Sequence, residues 1–231
     1  MRTQLAATAS ILSSFAVCCV DAAPPEAPPP ASIVAPPVAH HPASCLDAGG
    51  DGSVTLFLGG DARKPWQAFC HHGGAYVELH ADAPDANVAS YAAGGDAVGT
   101  TVRTQYRRIR IDPETLTVDI SDQTFATSSG ALQVGADTIT AMPFGVAAAC
   151  GGDDLAVANI DLGDTPFVVA MRFASRGPGA FGDVTPRDGG HAIDLTAAGT
   201  CGQTGPAGLP ARAHHLASGG WFLQLAYVQA F

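Results

Sequence analysis

Eight histidines are the residues of this chain best placed to do chemistry, and six of them come as adjacent pairs: His40-His41, His71-His72 and His214-His215, with His80 and His191 standing alone. Neutral imidazoles are good zinc ligands. His71, His72, His80, His191, His214 and His215 are therefore the candidate metal ligands, and His71, His72 and His80 lie near one another in sequence. Successive side chains on a strand point to opposite faces, so an adjacent pair rarely supplies two ligands to one ion. Oxygen ligands for calcium would come from Asp153 with Asp154, Asp47 with Asp51, or Asp183 with Asp188. None of these fits a calcium-binding helix–loop–helix, and aspartate beside glycine is first of all a turn former. Zinc and calcium are thus the cofactors to consider, and neither is forced by spacing.

Catalytic signatures are scarce. The chain has no His-Glu-x-x-His, no Gly-x-Ser-x-Gly and no phosphate-cradling Gly-x-x-x-x-Gly-Lys-Ser/Thr. An enzyme could use a His/Asp site such as His191 with Asp194, and a scattered zinc set could be built from His71, His80 and His215.

The elements that must position these residues begin with an export signal. Met1-Arg2 supplies a positive start, residues 5–20 an apolar run of small residues, and Val20-Asp21-Ala22 a cleavage site after Ala22. Cys18 and Cys19 follow Val17 and Cys18, which does not suit a lipoprotein signal; membrane attachment would require acylation at one of them. Residues 23–44 carry eight prolines and read as an extended tether, leaving 45–231 as one domain.

Cys45, Cys70, Cys150 and Cys201 remain in that domain, an even count that reads as two disulfides in an exported chain, with three connectivities open. The formal charge is −10, which repels phosphate backbones and anionic headgroups and argues against nucleic acid as a partner.

Within the domain, short apolar alternations are separated by Gly/Asp turns such as Gly73-Gly74 and Gly94-Gly95-Asp96. Strands are expected at 53–58, 66–70, 75–80, 101–111, 116–120, 123–126, 138–142, 155–162, 167–173, 191–196 and 221–228, with short helices at 86–93 and 207–217. The fold class is therefore mainly β, a single sandwich-like domain with few or no helices. Ile109 and Ile111 alternate with polar neighbours, as do Leu116, Val118 and Ile120, and Asp112-Pro113-Glu114-Thr115 between them fits a type I turn. Those five, with Leu56, Leu58, Phe69, Val77, Leu79, Phe125, Ile160, Leu162, Val169, Phe173, Leu223 and Leu225, form the expected inward set. Trp66 and Trp221 are expected to be buried with their indole N–H groups paired. On one strand, Arg103 and Arg107 would face one way and Arg108 and Arg110 the other, at solvated positions and in local ion pairs.

The same hairpin carries a resemblance. Arg103-Thr104-Gln105-Tyr106-Arg107-Arg108-Ile109-Arg110-Ile111, followed by Asp122-Gln123-Thr124-Phe125-Ala126, resembles the central motif of the GON domain of ADAMTS-type secreted zinc metalloproteases. That family pairs an Arg-Thr-x-aromatic-x-(Lys/Arg)-(Ile/Val)-Arg-(Ile/Leu) strand with Asp-x-Thr-Phe-Ala. Cys45, Asp51-Gly52-Ser53-Val54-Thr55-Leu56, Phe69-Cys70, Ala75-Tyr76-Val77-Glu78-Leu79 and Asn159 to Phe167 are similar to further blocks, with Val54 in place of an aromatic and Asp164 splitting a Gly-Thr pair. The resemblance, with proximity along the chain, favours Cys45–Cys70 and Cys150–Cys201.

In that family the domain is ancillary to a zinc metalloendopeptidase, so the resemblance implies metallopeptidase association and not, in this chain, the protease itself. The expectation is a secreted or surface-displayed, non-catalytic module that binds an extracellular protein or glycan. The alternatives are an extracellular metal-dependent hydrolase and a calcium-stabilised lectin-like adhesin.

Overall fold

The computed structural model describes residues 40–80, 83–151, 155–208 and 221–228. The expected export signal, most of the expected tether, the expected 207–217 helix from 209 onward, Asp153, Asp154, His214 and His215 lie outside the described residues.

The domain is mainly β, built from two curled sheets that are antiparallel apart from one pairing. The first sheet has seven strands. In spatial order they are β1 (Gly52–Phe57), β2 (Pro65–His71), β3 (Gly74–Glu78), β6 (Arg108–Asp112), β7 (Thr117–Asp119), β17 (Phe222–Tyr227) and β12 (Phe167–Val169). The second is centred on β4 (Val88–Ala92), which pairs with β5 (Ala97–Tyr106) on one side. On its other side it meets β11 (Ala156–Asp161) at Ala89 and the parallel β10 (Ala147–Ala149) from Ser90 to Ala92. β8 (Ala126–Val134) and β9 (Asp137–Ile139) extend it beyond β5. β15 (Ala192–Ala197) and β14 (Val184–Arg187) extend it past β11, and β16 (Gly202–Pro206) and β13 (Phe173–Arg176) past β10. Inward residues of both sheets, among them Leu56, Ile109 and Val118 from one and Tyr91, Leu132 and Ile160 from the other, merge into one core.

Two disulfides staple it, Cys45–Cys70 and Cys150–Cys201. Their sequence separations of 25 and 51 make each worth roughly 3–4 kcal/mol in the chain-entropy account. The first holds the one-turn helix α1 (Cys45–Ala48) on β2; Ser44 and Asp47 close its start as a capping box and Gly49 ends it at φ 78°. The domain begins before Cys45: the His41 ring packs on Phe57, and the Phe57 N–H donates to the Pro42 carbonyl.

Several expectations are corrected. The 86–93 segment is the central strand β4, not a helix; it is alanine-rich because Ala89 and Ala92 are packed between neighbouring strands, where tertiary burial overrides helix propensity. The 101–111 run is two strands in different sheets. Val102, Thr104 and Tyr106 are inward on β5 and Ile109 and Ile111 on β6, so the inward parity changes at Arg107, where the chain crosses between sheets. The hairpin β6–β7 forms as expected, but Leu116 lies at φ 57° in its turn rather than in the strand. Residues 123–125 are not strand; they fold over the outer face of β2 and β3. Phe69 and Phe125 therefore leave the inward set, meeting edge to face at 5.6 Å on that outer face, and Phe125 meets Tyr76 at 4.9 Å. Leu116, Val169 and Phe173 are half-buried against the core. Trp66 is buried and Trp221 partly so, yet neither indole N–H has a partner among the described residues.

Candidate functional site

The crossing at Arg107 builds a cleft. Its backbone is held from both sides: the Arg107 N–H donates to the Phe125 carbonyl (3.0 Å), and its own carbonyl accepts from the Leu79 N–H (2.9 Å). The side chain is exposed and has no ion-pair or hydrogen-bond partner among the described residues. Its neighbour Arg108 is engaged: the guanidinium pairs with Glu78 at 2.9 Å and stacks 3.8 Å from the Phe69 ring centroid. Glu78 faces Arg108 directly across the β3–β6 ladder, which places the pair.

The opposite wall is the turn after β11. The Thr165 N–H closes it on the Leu162 carbonyl, and Asp161 Oδ1 accepts from the Gly163 N–H at 2.9 Å. His80 lies so close to Gly163 that a Cβ there would overlap its ring, and Gly163 itself has φ 48°. His80 Nε2 stands 3.7 Å from Asp164 Oδ2, with the Asp164 side chain almost fully exposed. Asn87, fully buried and at φ 54°, ties the two walls. Its side chain donates to the carbonyls of His80 (3.3 Å) and Asp161 (3.0 Å), and its Oδ1 accepts from the Asp161 N–H (2.8 Å). The resulting open cleft of about 690 Å³ is lined by Gln67, Glu78, Leu79, His80, Arg107, Arg108 and the 164–166 turn. On the other side of that turn a second cleft of about 840 Å³ contains Arg63, Asp188, His191 and Tyr227.

No family model, curated protein or solved structure matches this chain.

The other candidate residues are dispersed. His71 ends β2 and His72 opens the β2–β3 turn at φ 49°, so the two rings come together at 4.1 Å instead of facing apart. Asp51 joins them, Oδ2 3.6 Å from His71 Nδ1 and Oδ1 accepting from the His72 N–H at 2.9 Å. Among the described residues, no group of three or more His, Cys, Asp or Glu could hold a metal ion. His80 and His191 line different clefts. His191 Nδ1 is buried with no partner among the described residues, and Asp194 is not available to it: both Asp194 oxygens take hydrogen bonds from Arg187, at 2.6 and 3.0 Å. That pair also raises the Arg187 pKa, through its hydrogen bonds first.

The candidate calcium aspartates among the described residues serve local structure. Asp47 caps α1, and the Asp183 N–H and carbonyl both bond Thr196. Asp188 adopts φ 50° in a turn. Arg107, Asn87 and Asp164 are the cleft residues that sequence reasoning missed as a site. The parity change at Arg107 and the Asp85-Ala86-Asn87 turn chemistry were the available signals.

Proposed function

We propose that this chain is a secreted or surface-displayed GON-like module that binds an extracellular ligand through the Arg107–His80 cleft and performs no catalysis. The observation that carries this reading is Arg107, a cation with a pinned backbone and a side chain with no partner among the described residues, at the mouth of a cleft, on a chain of net charge −10. Unpaired guanidinium forks on rigid supports suit recognition more than stability.

Support for the GON-like assignment comes from how its motif residues interlock. Thr104 Oγ1 accepts from the Met142 N–H (2.8 Å) and Tyr106 donates to the Met142 carbonyl (2.5 Å). Gln123 donates to the Tyr106 hydroxyl (2.5 Å) and Asp122 accepts from Tyr76 (3.3 Å). These bonds tie the 103–111 and 122–126 stretches into one structural unit, which supports the reading. By that resemblance the module would be of the kind that accompanies zinc metalloendopeptidases.

One observation favours an enzyme instead, the His80–Asp164 pair at 3.7 Å, which could orient an imidazole as a base. The test is twofold. Purified chain, with and without zinc, is expected to leave casein intact, and to bind a panel of immobilised extracellular glycans and proteins saturably, with binding lost in Arg107→Ala. Casein cleavage that disappears with a chelator and in His80→Ala would replace the binding module with a hydrolase.

A further inference from the structure

We propose that the Arg107–His80 cleft takes an acidic sugar, a ring that carries a carboxylate and free hydroxyls together; this rests on the binding-module reading above. Among the described residues that line the cleft, Arg107 is the one arginine with no partner. Arg108 is committed to Glu78 and to the aromatic faces of Phe69 and Phe125, at 3.8 and 5.0 Å from their centroids. Arg107, alone of the two, presents an unengaged fork, which matches one carboxylate in bidentate geometry.

What surrounds Arg107 decides against richer anions. Glu78 and Asp164 line the same cleft, with side chains 61% and 98% exposed, and both are acceptors only. A phosphate ester would bring up to about two negative charges on one group against these two carboxylates. An acidic peptide would satisfy Arg107 but offers as donors only its backbone amides, spaced along an extended chain. A sugar acid places hydroxyl donors on the ring that bears its carboxylate, so one unit can bond Arg107 and the carboxylates beside it. Thr165 and Gln67 add polar contacts, and Leu79 and Pro166 give an apolar wall for the C–H face of a ring. A volume of about 690 Å³ is of the size that small-ligand sites have.

The test titrates the purified full chain with short oligomers of galacturonic and of glucuronic acid, followed by calorimetry and by NMR shifts. Comparators are the same oligomers with their carboxyls methyl-esterified, a poly-glutamate peptide and inorganic sulfate. At least one acid oligomer is expected to bind tenfold or more tightly than its ester. Arg107→Ala should weaken that binding about tenfold or more, since a charge-assisted fork is lost. Arg107→Lys should recover part of it, and Arg103→Ala, outside the cleft, should change nothing; near-UV dichroism checks that each variant is folded. Equal binding of acid and ester, indifference to Arg107→Ala, or no binding of either acid overturns the proposal. Arg107-dependent preference for poly-glutamate or sulfate overturns the sugar while leaving a binding module. Zinc-dependent casein turnover with no probe bound overturns both.

Discussion

Arg107 and Arg108 are neighbours of one residue type with opposite fates, and the difference lies in what covers each. The outer face of β2, β3 and β6 is roofed by the 121–126 segment: Phe125 sits against Phe69, Tyr76 and His71, with Arg108 laid over the aromatic pair. Asp122 anchors the roof through Tyr76 and lies 3.9 Å from Arg110. A few residues away, on the cleft side, the His80–Asp164 contact is mostly solvated and Arg107 has no partner among the described residues. Arg108, under the roof, is held by its neighbours, whereas the Arg107 side chain takes no part in holding the described fold.

This contrast can be broken most sharply through Asn87, which touches the cleft only by holding its backbone walls together. Asn87→Ala strands the half-buried Asp161 N–H and two carbonyls, and should cost about 2–4 kcal/mol in urea unfolding. A loss under 1 kcal/mol would mean the walls hold themselves. Phe125→Ala should follow, at about 2–3 kcal/mol, since half-buried aromatics lose less than the full core value.

Arg108→Ala is expected to cost about 1–2 kcal/mol, from its stacking and its Glu78 pair together. Arg107→Ala should change stability by less than about 0.5 kcal/mol. If the two arginine variants unfold alike, the distinction between roof and cleft fails. A coupling in the Arg108/Phe125 double-mutant cycle above about 0.5 kcal/mol would sharpen it.

The smallest expected effect is at the hairpin turn. Asp112 has its pKa lowered, chiefly because its carboxylate accepts from the Glu114 N–H. A carboxyl depressed in the folded state adds stability above its unfolded value, roughly pH 4, and that stability is lost as pH falls through the folded value. Asp112→Asn should flatten this acid limb in unfolding measured from pH 5 to 2, by a few tenths of a kcal/mol at a turn this exposed. An unchanged limb would show that the turn holds without its carboxylate.

The parts legible in the sequence were those fixed locally. Alternation at Ile109, Ile111 and Val118 with Asp112-Pro113 between them announces the β6–β7 hairpin. What escaped depends on neighbours distant in the chain. Period-two alternation places Arg108 in water because it knows nothing of the 121–126 roof, and it places His71 and His72 apart because it assumes the strand continues through His72. The alanine run of β4 carries helix propensity until three strands surround it. The cleft was invisible for the same reason: Arg107, His80 and Asp164 belong to three separate stretches, and only the crossing, the Asn87 tie and the Gly163 turn bring them together.

The forked pairing of β4 has a kinetic consequence. β1, β2 and β3 follow one another as adjacent hairpins and can close in sequence, each over a short loop. β4 must instead wait for Ala147 to reach Ser90 in parallel alignment, and for Ala158 to reach Ala89, before its second edge exists. Loop-closure entropy is spent before such distant contacts return it, so assembly of the second sheet should limit the refolding rate. In pulsed hydrogen exchange during refolding, amides of β2 and β3 should gain protection in an earlier phase than those of β10, even though β10 ends among the most deeply buried strands of the domain.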